Sequence, residues 1–207
     1  MNRSITLAAL FLSLAAFSQR ANDQYSLEAG YGLGFSGDPG LSGQHFEVGF
    51  RYMVDESWGI KFDFGSDTYR TDSTPELGTD YKRYSVQGVY NLGRAINISS
   101  VTGGTINLLA HGGIGYSSLK SVLKDDVDNI GHVIVGVTPQ LYLIENLALR
   151  LDTSLIVDFT QHYKFDGTYR MLPDGNKDKN SFTDMVFNAS LGLTYYFGKN
   201  KSSSDWR

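Results

Sequence analysis

The stretch TDMVFNASLGLTYYFG, from Thr183 to Gly198, decides the fold because every second residue in it is apolar or aromatic. The alternate residues are Met185, Phe187, Ala189, Leu191, Leu193, Tyr195 and Phe197, and most residues between them are small or polar. A period of two places one set on each face of a β-strand. The run is longer than the ~5–6 residues of a typical soluble strand, and it is long enough for the roughly 9–11 residues of a tilted strand that crosses a bilayer.

The same alternation occurs in seven earlier segments, so the sequence predicts eight strands. They cover residues 25–35, 45–54, 58–69, 81–92, 105–117, 131–144, 147–160 and 183–198. The segments are similar strands without a fixed repeat, which argues against a solenoid. Tight turns are predicted at 55–57 and 145–146, and longer polar links at 36–44, 66–80, 118–130 and 161–182. The link 93–104 is long for the short-turn side, and Pro139 is expected to mark a bulge or a lost ladder bond because it lacks an N–H donor.

The polar face of these strands is rich in glycine and also carries charges of both signs. Eight strands leave an interior only wide enough for side chains to fill, so small residues and paired charges suit it. We therefore predict an interior charge network formed by Glu28, Glu47, Arg51, Lys61, Asp63, Arg83, Arg150, Asp152 and Asp158. The alternative is a soluble barrel or sandwich, in which the apolar set points inward and the polar set faces water.

The apolar face has aromatic residues concentrated near its two ends. On the short-turn side they are Tyr52, Trp58, Tyr90, Tyr195 and Phe197, and on the long-loop side Phe35, Phe46, Tyr84, Tyr116 and Phe159. Two aromatic girdles around an aliphatic band are typical of a barrel in a bilayer. The sequence thus predicts an all-β, eight-stranded, antiparallel, up-and-down transmembrane β-barrel. Short periplasmic turns and longer extracellular loops place both termini in the periplasm.

The N-terminal sequence MNRSITLAALFLSLAAFSQ is typical of a secretory signal. Arg3 is followed by an apolar core over residues 5–17, and Ala16-Phe17-Ser18 is a plausible cleavage site. We predict residues 1–18 as a signal peptide, 19–198 as the barrel domain and 199–207 as a short periplasmic tail that hangs free and is dispensable. The 207-residue chain has a formal charge of −4 and no basic cluster, which argues against nucleic acid as a partner. It has no cysteine, so disulfides and thiolate chemistry are excluded.

Three segments carry a resemblance to a known family. They are YNLGR (Tyr90–Arg94), INLLAHGGIGYS (Ile106–Ser117) and SLGLTYYFGKN (Ser190–Asn200). The chain resembles the N-terminal eight-stranded barrel of the outer membrane protein A (OmpA) family, as found in Bacteroidetes-type bacteria. This resemblance implies a monomer in the cell envelope of a Gram-negative bacterium, in contact with outer-membrane lipid and lipopolysaccharide. Larger members continue into a peptidoglycan-binding domain, which is not expected here because few residues follow the last strand.

The last strand also resembles the C-terminal assembly signal of bacterial outer-membrane barrels. The matching residues are Ser190, Gly192, Tyr195 and Phe197. The resemblance implies that the barrel-assembly machinery is a partner during biogenesis and that it reads this strand.

An enzyme is the alternative from another class of function. Some small outer-membrane barrels modify lipid A with a histidine, a serine and an acid near the outer rim. The chain has four histidines, His45, His111, His132 and His162, and a rim histidine near a serine and an acid such as Asp158 is conceivable. No enzyme motif is present, so no catalytic residue is assigned, and His111 and His132 are expected to form hydrogen bonds in the interior.

The segment PDGNKDKN, residues 173–180, has part of the pattern of a calcium-binding loop. Asp174, Asn176 and Asp178 alternate there, but the downstream bidentate glutamate of a calcium loop is missing. No metal and no cofactor are expected. The predicted function is a structural or surface-interaction role for a barrel with a filled polar interior, with a narrow, porin-like channel for small solutes as the alternative and a lipid A-modifying enzyme as a further one.

Overall fold

The eight predicted strands close into a barrel in a computed structural model that describes residues 24–123, 125–178, 180–198 and Trp206. The strands are β1 (Gln24–Ser36), β2 (Ser42–Met53), β3 (Trp58–Arg70), β4 (Gly78–Asn91), β5 (Ile106–Ser121), β6 (Val127–Ile144), β7 (Leu147–Gln161) and β8 (Phe182–Gly198). Each strand pairs antiparallel with its neighbours in the chain. The predicted all-β, antiparallel, up-and-down barrel of eight strands is therefore confirmed. The proposed signal peptide lies outside the described residues.

The barrel closes where β8 pairs with β1, from Gln24 opposite Gly198 to Ser36 opposite Val186. Closure leaves no strand edge with unpaired backbone groups. The seam needs glycine at Gly32, because a Cβ there would lie 2.0 Å from the backbone oxygen of Ala189. The alternation of the last strand thus builds one wall of the barrel and also joins its two ends.

The strands are longer than predicted at one end of the barrel. Relative to the predicted bounds, β2 and β4 begin three residues earlier, β6 begins four residues earlier, and β5 ends four residues later. Lys120 pairs with Val127, for example, inside a segment predicted as a loop. The prediction failed there because polar residues interrupt the apolar alternation while the backbone continues to pair.

The two ends of the barrel carry different connections. The end that we call the turn end has the connections 54–57, 92–105 and 145–146 together with Gln24 and Gly198. Its long connection folds into two short helices, α1 (Leu92–Ala95) and α2 (Ile98–Thr102). The opposite end, the loop end, has the connections 37–41, 71–77, 122–126 and 162–181. Within the described residues, neither helix is long and apolar enough to cross a membrane.

The expected irregularity at Pro139 affects one of its two neighbouring strands. Pro139 stays in register with Leu108 of β5. Its pairing with β7 is interrupted between Val137 and Gln140 and then resumes in the same register. A true register shift occurs at the turn end of β6, between Tyr142 and Ile144. Pro139 therefore costs ladder bonds without forming a bulge.

The apolar set of each strand lies on the outer surface of the barrel and the polar set faces the lumen. Leu33, Val135 and Leu191 are each more than half exposed, whereas the charged residues of the same strands are buried. This arrangement is the reverse of a soluble barrel, so the soluble alternative is wrong. Two apolar clusters lie inside the barrel, one at the loop end around Phe165 and one at the turn end around Trp206.

Candidate functional site

A network of ion pairs fills the middle of the lumen. Its centre is the carboxylate of Glu28, which lies 3.0 Å from Arg51 Nη2 and 3.4 Å from Lys61 Nζ. Lys61 also pairs with Asp63 at 3.1 Å, and Asp63 pairs with Arg83 at 3.3 Å. These residues come from the first four strands, so the network crosses successive strands around one wall.

Arg150 extends this network from β7 across the lumen. Its Nη2 lies 2.8 Å from Glu47 on β2, and its Nη1 lies 3.3 Å from Asp152 and 3.8 Å from Glu28. Asp152 in turn lies 3.4 Å from the Nε2 of His111. A long, planar guanidinium with several donors suits this bridging position, because it can contact three carboxylates at once.

The central network is balanced in formal charge. Its four cations are Arg51, Lys61, Arg83 and Arg150, and its four acids are Glu28, Glu47, Asp63 and Asp152. All eight are buried. Burial of a charge is costly unless the charge is paired and hydrogen-bonded, so the equal numbers are what such a lumen requires.

Asp158 was predicted as a member of this network, and the structure corrects that assignment. Its Oδ1 accepts a hydrogen bond of 2.8 Å from the hydroxyl of Tyr81, and it forms no ion pair among the described residues. Asp158 lies six positions beyond Asp152 along β7, which is roughly 20 Å of strand. The alternation identified the correct face for Asp158, but the hydrogen-bond partner of its carboxylate is Tyr81 and not a cation of the network.

A phenylalanine closes the lumen at the loop end. Phe165, from the connection between β7 and β8, is fully buried between the rings of Tyr69 and Tyr81, at centroid distances of 5.1 and 5.6 Å. Its backbone oxygen accepts a hydrogen bond of 2.8 Å from Thr79 Oγ1. Next to it, Lys164 Nζ lies 3.1 Å from the carboxylate of Asp38. The longest loop is thus folded back over the barrel and held by apolar and polar contacts.

Beneath Phe165, four polar side chains form a hydrogen-bonded chain. Tyr81 donates to Asp158, and Ser117 Oγ donates to the Tyr81 hydroxyl at 2.8 Å. Ser117 Oγ also lies 2.7 Å from Nδ1 of His132. The donor in the contact between Ser117 and His132 depends on the tautomer of the histidine. The chain therefore runs from His132 through Ser117 and Tyr81 to Asp158.

This chain brings together a histidine, a serine and an acid, but not in the arrangement of a catalytic triad. In a triad the serine contacts the histidine base, and the acid contacts and orients that histidine. Here Ser117 contacts His132, whereas Asp158 contacts Tyr81. Ser117 and Asp158 are also fully buried.

The other histidines have local partners as well. His45 Nδ1 lies 2.8 Å from Asp67 inside the lumen, and His111 Nδ1 lies 2.7 Å from Gln87. His162 lies outside the strands, and its Nδ1 is 3.0 Å from Asp128. His111 and His132 are buried and hydrogen-bonded in the interior, as the sequence analysis expected.

At the turn end, the buried aromatic residue is Trp206. Its Nε1 donates a 3.0 Å hydrogen bond to the backbone oxygen of Asp55, and its own backbone oxygen accepts from Tyr142 and Asn107. The guanidinium of Arg51 lies 5.2 Å from the centre of its ring, within the range of a cation–π contact. The prediction of a freely hanging tail is therefore wrong at Trp206, because the indole finds both apolar and polar partners in the lumen.

The four residues of the predicted assembly signal fall on two faces of β8. Ser190 is buried and donates to Glu47, and Gly192 lies opposite Gly30 of β1. Tyr195 is exposed on the outer surface, and its ring lies 6.2 Å from that of Phe197. The polar half of this motif thus serves the lumen and the seam, and the aromatic half belongs to the outer surface.

The acidic loop was also considered as a metal site. Among the residues that the structure describes, no group of three or more histidine, aspartate or glutamate side chains is placed to hold a metal ion. Asp174 instead accepts hydrogen bonds from the backbone and side-chain amides of Asn176, which lower the pKa of the Asp174 carboxyl. The loop therefore has its own hydrogen bonds.

Sequence reasoning missed the residues that close the two ends. Phe165 and Trp206 lie outside alternating strands, so the period-two pattern did not detect them. The one available signal was composition, because each is a large aromatic side chain in a polar segment. Their partners Tyr69, Tyr81, Tyr142 and Tyr196 lie on the lumen face of strands, where an aromatic residue departs from the small or charged pattern.

Comparison with known proteins supports the fold. No protein-family model and no curated protein matches the chain. Among solved structures, Neisserial surface protein A is similar with a TM-score of 0.54 and 10% identity, covering 86% of this chain and 98% of that one. The outer membrane protein OprG of Pseudomonas aeruginosa has a TM-score of 0.53 at 10% identity, covering 85% and 96%. The N-terminal β-barrel domain of OprF from the same organism has 0.51 at 11%, covering 86% and 100%. The chain therefore has the fold of the small outer-membrane β-barrels.

Proposed function

We propose that this chain is an integral outer-membrane barrel with a structural or surface-interaction role. The observation that carries the proposal is the inverted distribution of polarity, with exposed aliphatic residues outside and a network of buried ion pairs inside. Water would not favour such an exterior, whereas hydrocarbon does. Aromatic pairs near both ends, such as Trp58 with Tyr90 and Phe64 with Tyr84, fit the two interfaces of a bilayer.

The proposed orientation places the turn end in the periplasm and the loop end outside the cell. Gln24 and Gly198 pair at the turn end, so both ends of the barrel domain lie on the same side. Short turns on the periplasmic side and longer loops outside are usual for these barrels. In this orientation the outer surface contacts outer-membrane lipid and lipopolysaccharide, and the protein acts as a monomer.

A structural role fits better than the alternative of a narrow channel. The side chain of Arg150 reaches from β7 to Glu47 on β2, and Arg51 on β2 reaches the hydroxyl of Tyr196 on β8. Phe165 and Trp206 lie in the lumen beyond this network at its two ends. A path for solutes would have to break buried ion pairs, which is costly.

A surface role is supported by the loop end. Phe165 and Lys164 hold the base of the 162–181 connection, while Met171 and Leu172 farther along it are exposed. A loop that is fixed at its base and exposed at its tip is well suited to present a contact surface outside the cell.

Fractionation and conductance together test this proposal. The chain should be recovered in the outer-membrane fraction, begin at Gln19 and migrate as a heat-modifiable band on a gel. Recovery in the soluble fraction or an intact Met1 would contradict the membrane proposal. In planar bilayers the purified barrel should give no steady conductance; stable ion currents would favour the channel. Release of acyl chains from purified lipid A would favour the enzyme instead.

A further inference from the structure

The turn end of the lumen contains a built site for an indole side chain. Trp206 is 1% exposed there, although it lies at the end of a polar segment. Its ring packs in an apolar cluster with Met53, Val89, Leu109 and others, which line the base of the site. The side chain of Trp206, which follows the last strand in the sequence, thus lies inside the lumen at its turn end.

The site recognises more than apolar surface. The indole N–H has an acceptor in the backbone oxygen of Asp55, and the ring has the guanidinium of Arg51. The backbone oxygen of Trp206 has donors from two strands, the side-chain amide of Asn107 and the hydroxyl of Tyr142 at 2.5 Å. Phenylalanine would lose the first contact because it has no N–H, so the site is matched to tryptophan.

The site exists only in the closed barrel. Arg51 belongs to β2, Asn107 to β5, Tyr142 to β6 and Tyr196 to β8. These strands surround the lumen, and Arg51 meets Tyr196 only after β8 has paired with β1. Binding of the indole therefore requires all the strands to be in place.

We propose that the turn-end mouth is a binding site for a tryptophan-containing peptide and that the chain's own Trp206 occupies it as a removable plug that closes the lumen. The proposal does not rest on the membrane location or the orientation, because it concerns a closed barrel in any membrane or micelle. Its failure and the failure of the proposed function are therefore separate results.

The first experiment uses tryptophan fluorescence. The chain has two tryptophans, and Trp58 lies on the outer surface, so Trp58→Phe leaves Trp206 as the reporter. In the refolded Trp58→Phe barrel, Trp206 should emit at shorter wavelength and be quenched by acrylamide several-fold less than in the urea-unfolded chain. Protection should not depend on protein concentration. Quenching equal to that of the unfolded chain would overturn the proposal, and protection only at high concentration would assign the site to a second copy.

A second variant tests the contacts that hold the tail. Tyr142→Phe removes the hydroxyl that donates to the Trp206 backbone oxygen. In the Trp58→Phe background it should increase acrylamide quenching of Trp206 while the barrel stays folded. Tyr31→Phe is the matched control, since Tyr31 is exposed on the outer surface, and it should change nothing. Equal quenching in the two variants would contradict the recognition of the backbone oxygen.

Binding of a peptide tests the site directly. The full-length Trp58→Phe, Trp206→Ala double variant has no tryptophan, so a peptide of residues 199–207 supplies the only one. Titration of this peptide should give a saturable blue shift with the double variant and none with the Trp58→Phe barrel, where the tethered tail occupies the site at high effective concentration. Binding of equal strength by the barrel with its own tail intact would overturn the proposal.

Thiol labelling tests whether Trp206 closes the lumen. The chain has no cysteine, and Val89 is buried in the same cluster as Trp206. The thiol introduced by Val89→Cys should react with a small maleimide several-fold faster after Trp206→Ala. The thiol of Ile134→Cys, in the loop-end cluster, is the control and should not respond. An unchanged rate at position 89 in a folded barrel would show that Trp206 does not close the mouth.

Discussion

Each end of the lumen is occupied by one aromatic side chain from outside the strands, but the contacts that hold the two side chains differ. At the loop end, Phe165 packs edge-on against two tyrosine rings, and its backbone and its neighbour Lys164 are held as well. At the turn end, the Trp206 indole N–H donates to Asp55, its backbone oxygen accepts from Tyr142, and its ring lies against Arg51. Both rings lie in apolar clusters, and the turn end adds a hydrogen bond from the ring itself and a cation–π contact.

The difference in attachment is as important as the difference in chemistry. Phe165 lies in a connection that is anchored by β7 on one side and β8 on the other. The connection can therefore adopt few conformations that take Phe165 far from its site. Phe165 follows Gln161, the last residue of β7, by four positions, whereas Trp206 follows Gly198, the last residue of β8, by eight. Ordering a segment costs conformational entropy, and a longer connection has more of it to lose than a shorter one. We therefore expect the loop end to stay closed and the turn end to open more readily.

The largest expected effect is on assembly, and it should occur for aromatic residues on the outer surface of the turn end but not for those of the loop end. Changing Tyr195 and Phe197 to serine removes the aromatic half of the proposed assembly signal at the turn end, and the chain should remain unfolded in the periplasm. The matched control is the loop-end pair Phe35 and Phe187, whose rings lie 6.3 Å apart on the same seam. Its serine variant should still reach the outer membrane as a heat-modifiable band. Equal assembly of both variants would contradict a signal specific to the turn end.

Sequence alone was sufficient for the walls of this barrel. A strand with one face toward lipid and one toward a crowded lumen must alternate, so β1, β3, β7 and β8 were located to within a residue or two at each end. The sequence predicted strand ends less well at the loop end, where the strands extend beyond the apolar band. The extra paired residues of β5 and β6 are polar or mixed on the outer face, while Leu119 and Ile130 among them point inward and pack in the loop-end cluster.

The sequence predicted which charged residues line the lumen, but not which of them pair with each other. Alternation identified which charged residues face inward, because facing depends only on odd or even position. It could not identify the partner of each charge, which depends on strand stagger, and so Asp158 was grouped with the ion pairs although its hydrogen-bond partner is Tyr81. Phe165 and Trp206 were invisible for a different reason, since their positions depend on how a loop and a tail fold back.

The second prediction concerns the network between the two ends. Arg150→Ala removes the ion-pair partner that the described residues give to Glu47, and removal of one member of a buried pair costs about 3–5 kcal/mol. The free energy of unfolding should fall by that amount, measured by urea unfolding in liposomes. Lys164→Ala is the control, because its ion pair with Asp38 is partly exposed at the loop end and should contribute about 0–1 kcal/mol. An unchanged midpoint for Arg150→Ala would show that the network is not a stability element.

The third prediction breaks the loop end. Phe165→Ala leaves a cavity between Tyr69 and Tyr81, and truncation of a buried phenylalanine costs about 3 kcal/mol. The variant should lower the free energy of unfolding and make the connection sensitive to trypsin after Lys164. Met171→Ala, at the exposed part of the same loop, should stay within about 0.5 kcal/mol of the parent and resist cleavage. If the two variants were cleaved equally, Phe165 would not be the residue that holds the loop.

The smallest expected effect on the free energy of unfolding comes from Trp206 at the turn end. Its size relative to that of Phe165 measures how differently the two ends of the lumen are closed. Burial of a large apolar side chain stabilises by about 1.5–3 kcal/mol, but the tail that carries Trp206 loses roughly 1–2 kcal/mol of entropy for each residue it orders. We therefore expect Trp206→Ala to lower the free energy of unfolding by only about 1 kcal/mol, and deletion of residues 199–207 to do the same and leave a folded, heat-modifiable barrel. Combined with Phe165→Ala the costs should add, because the two clusters share no residue. A loss at Trp206 as large as that at Phe165 would mean that the tail is as firmly held as the loop.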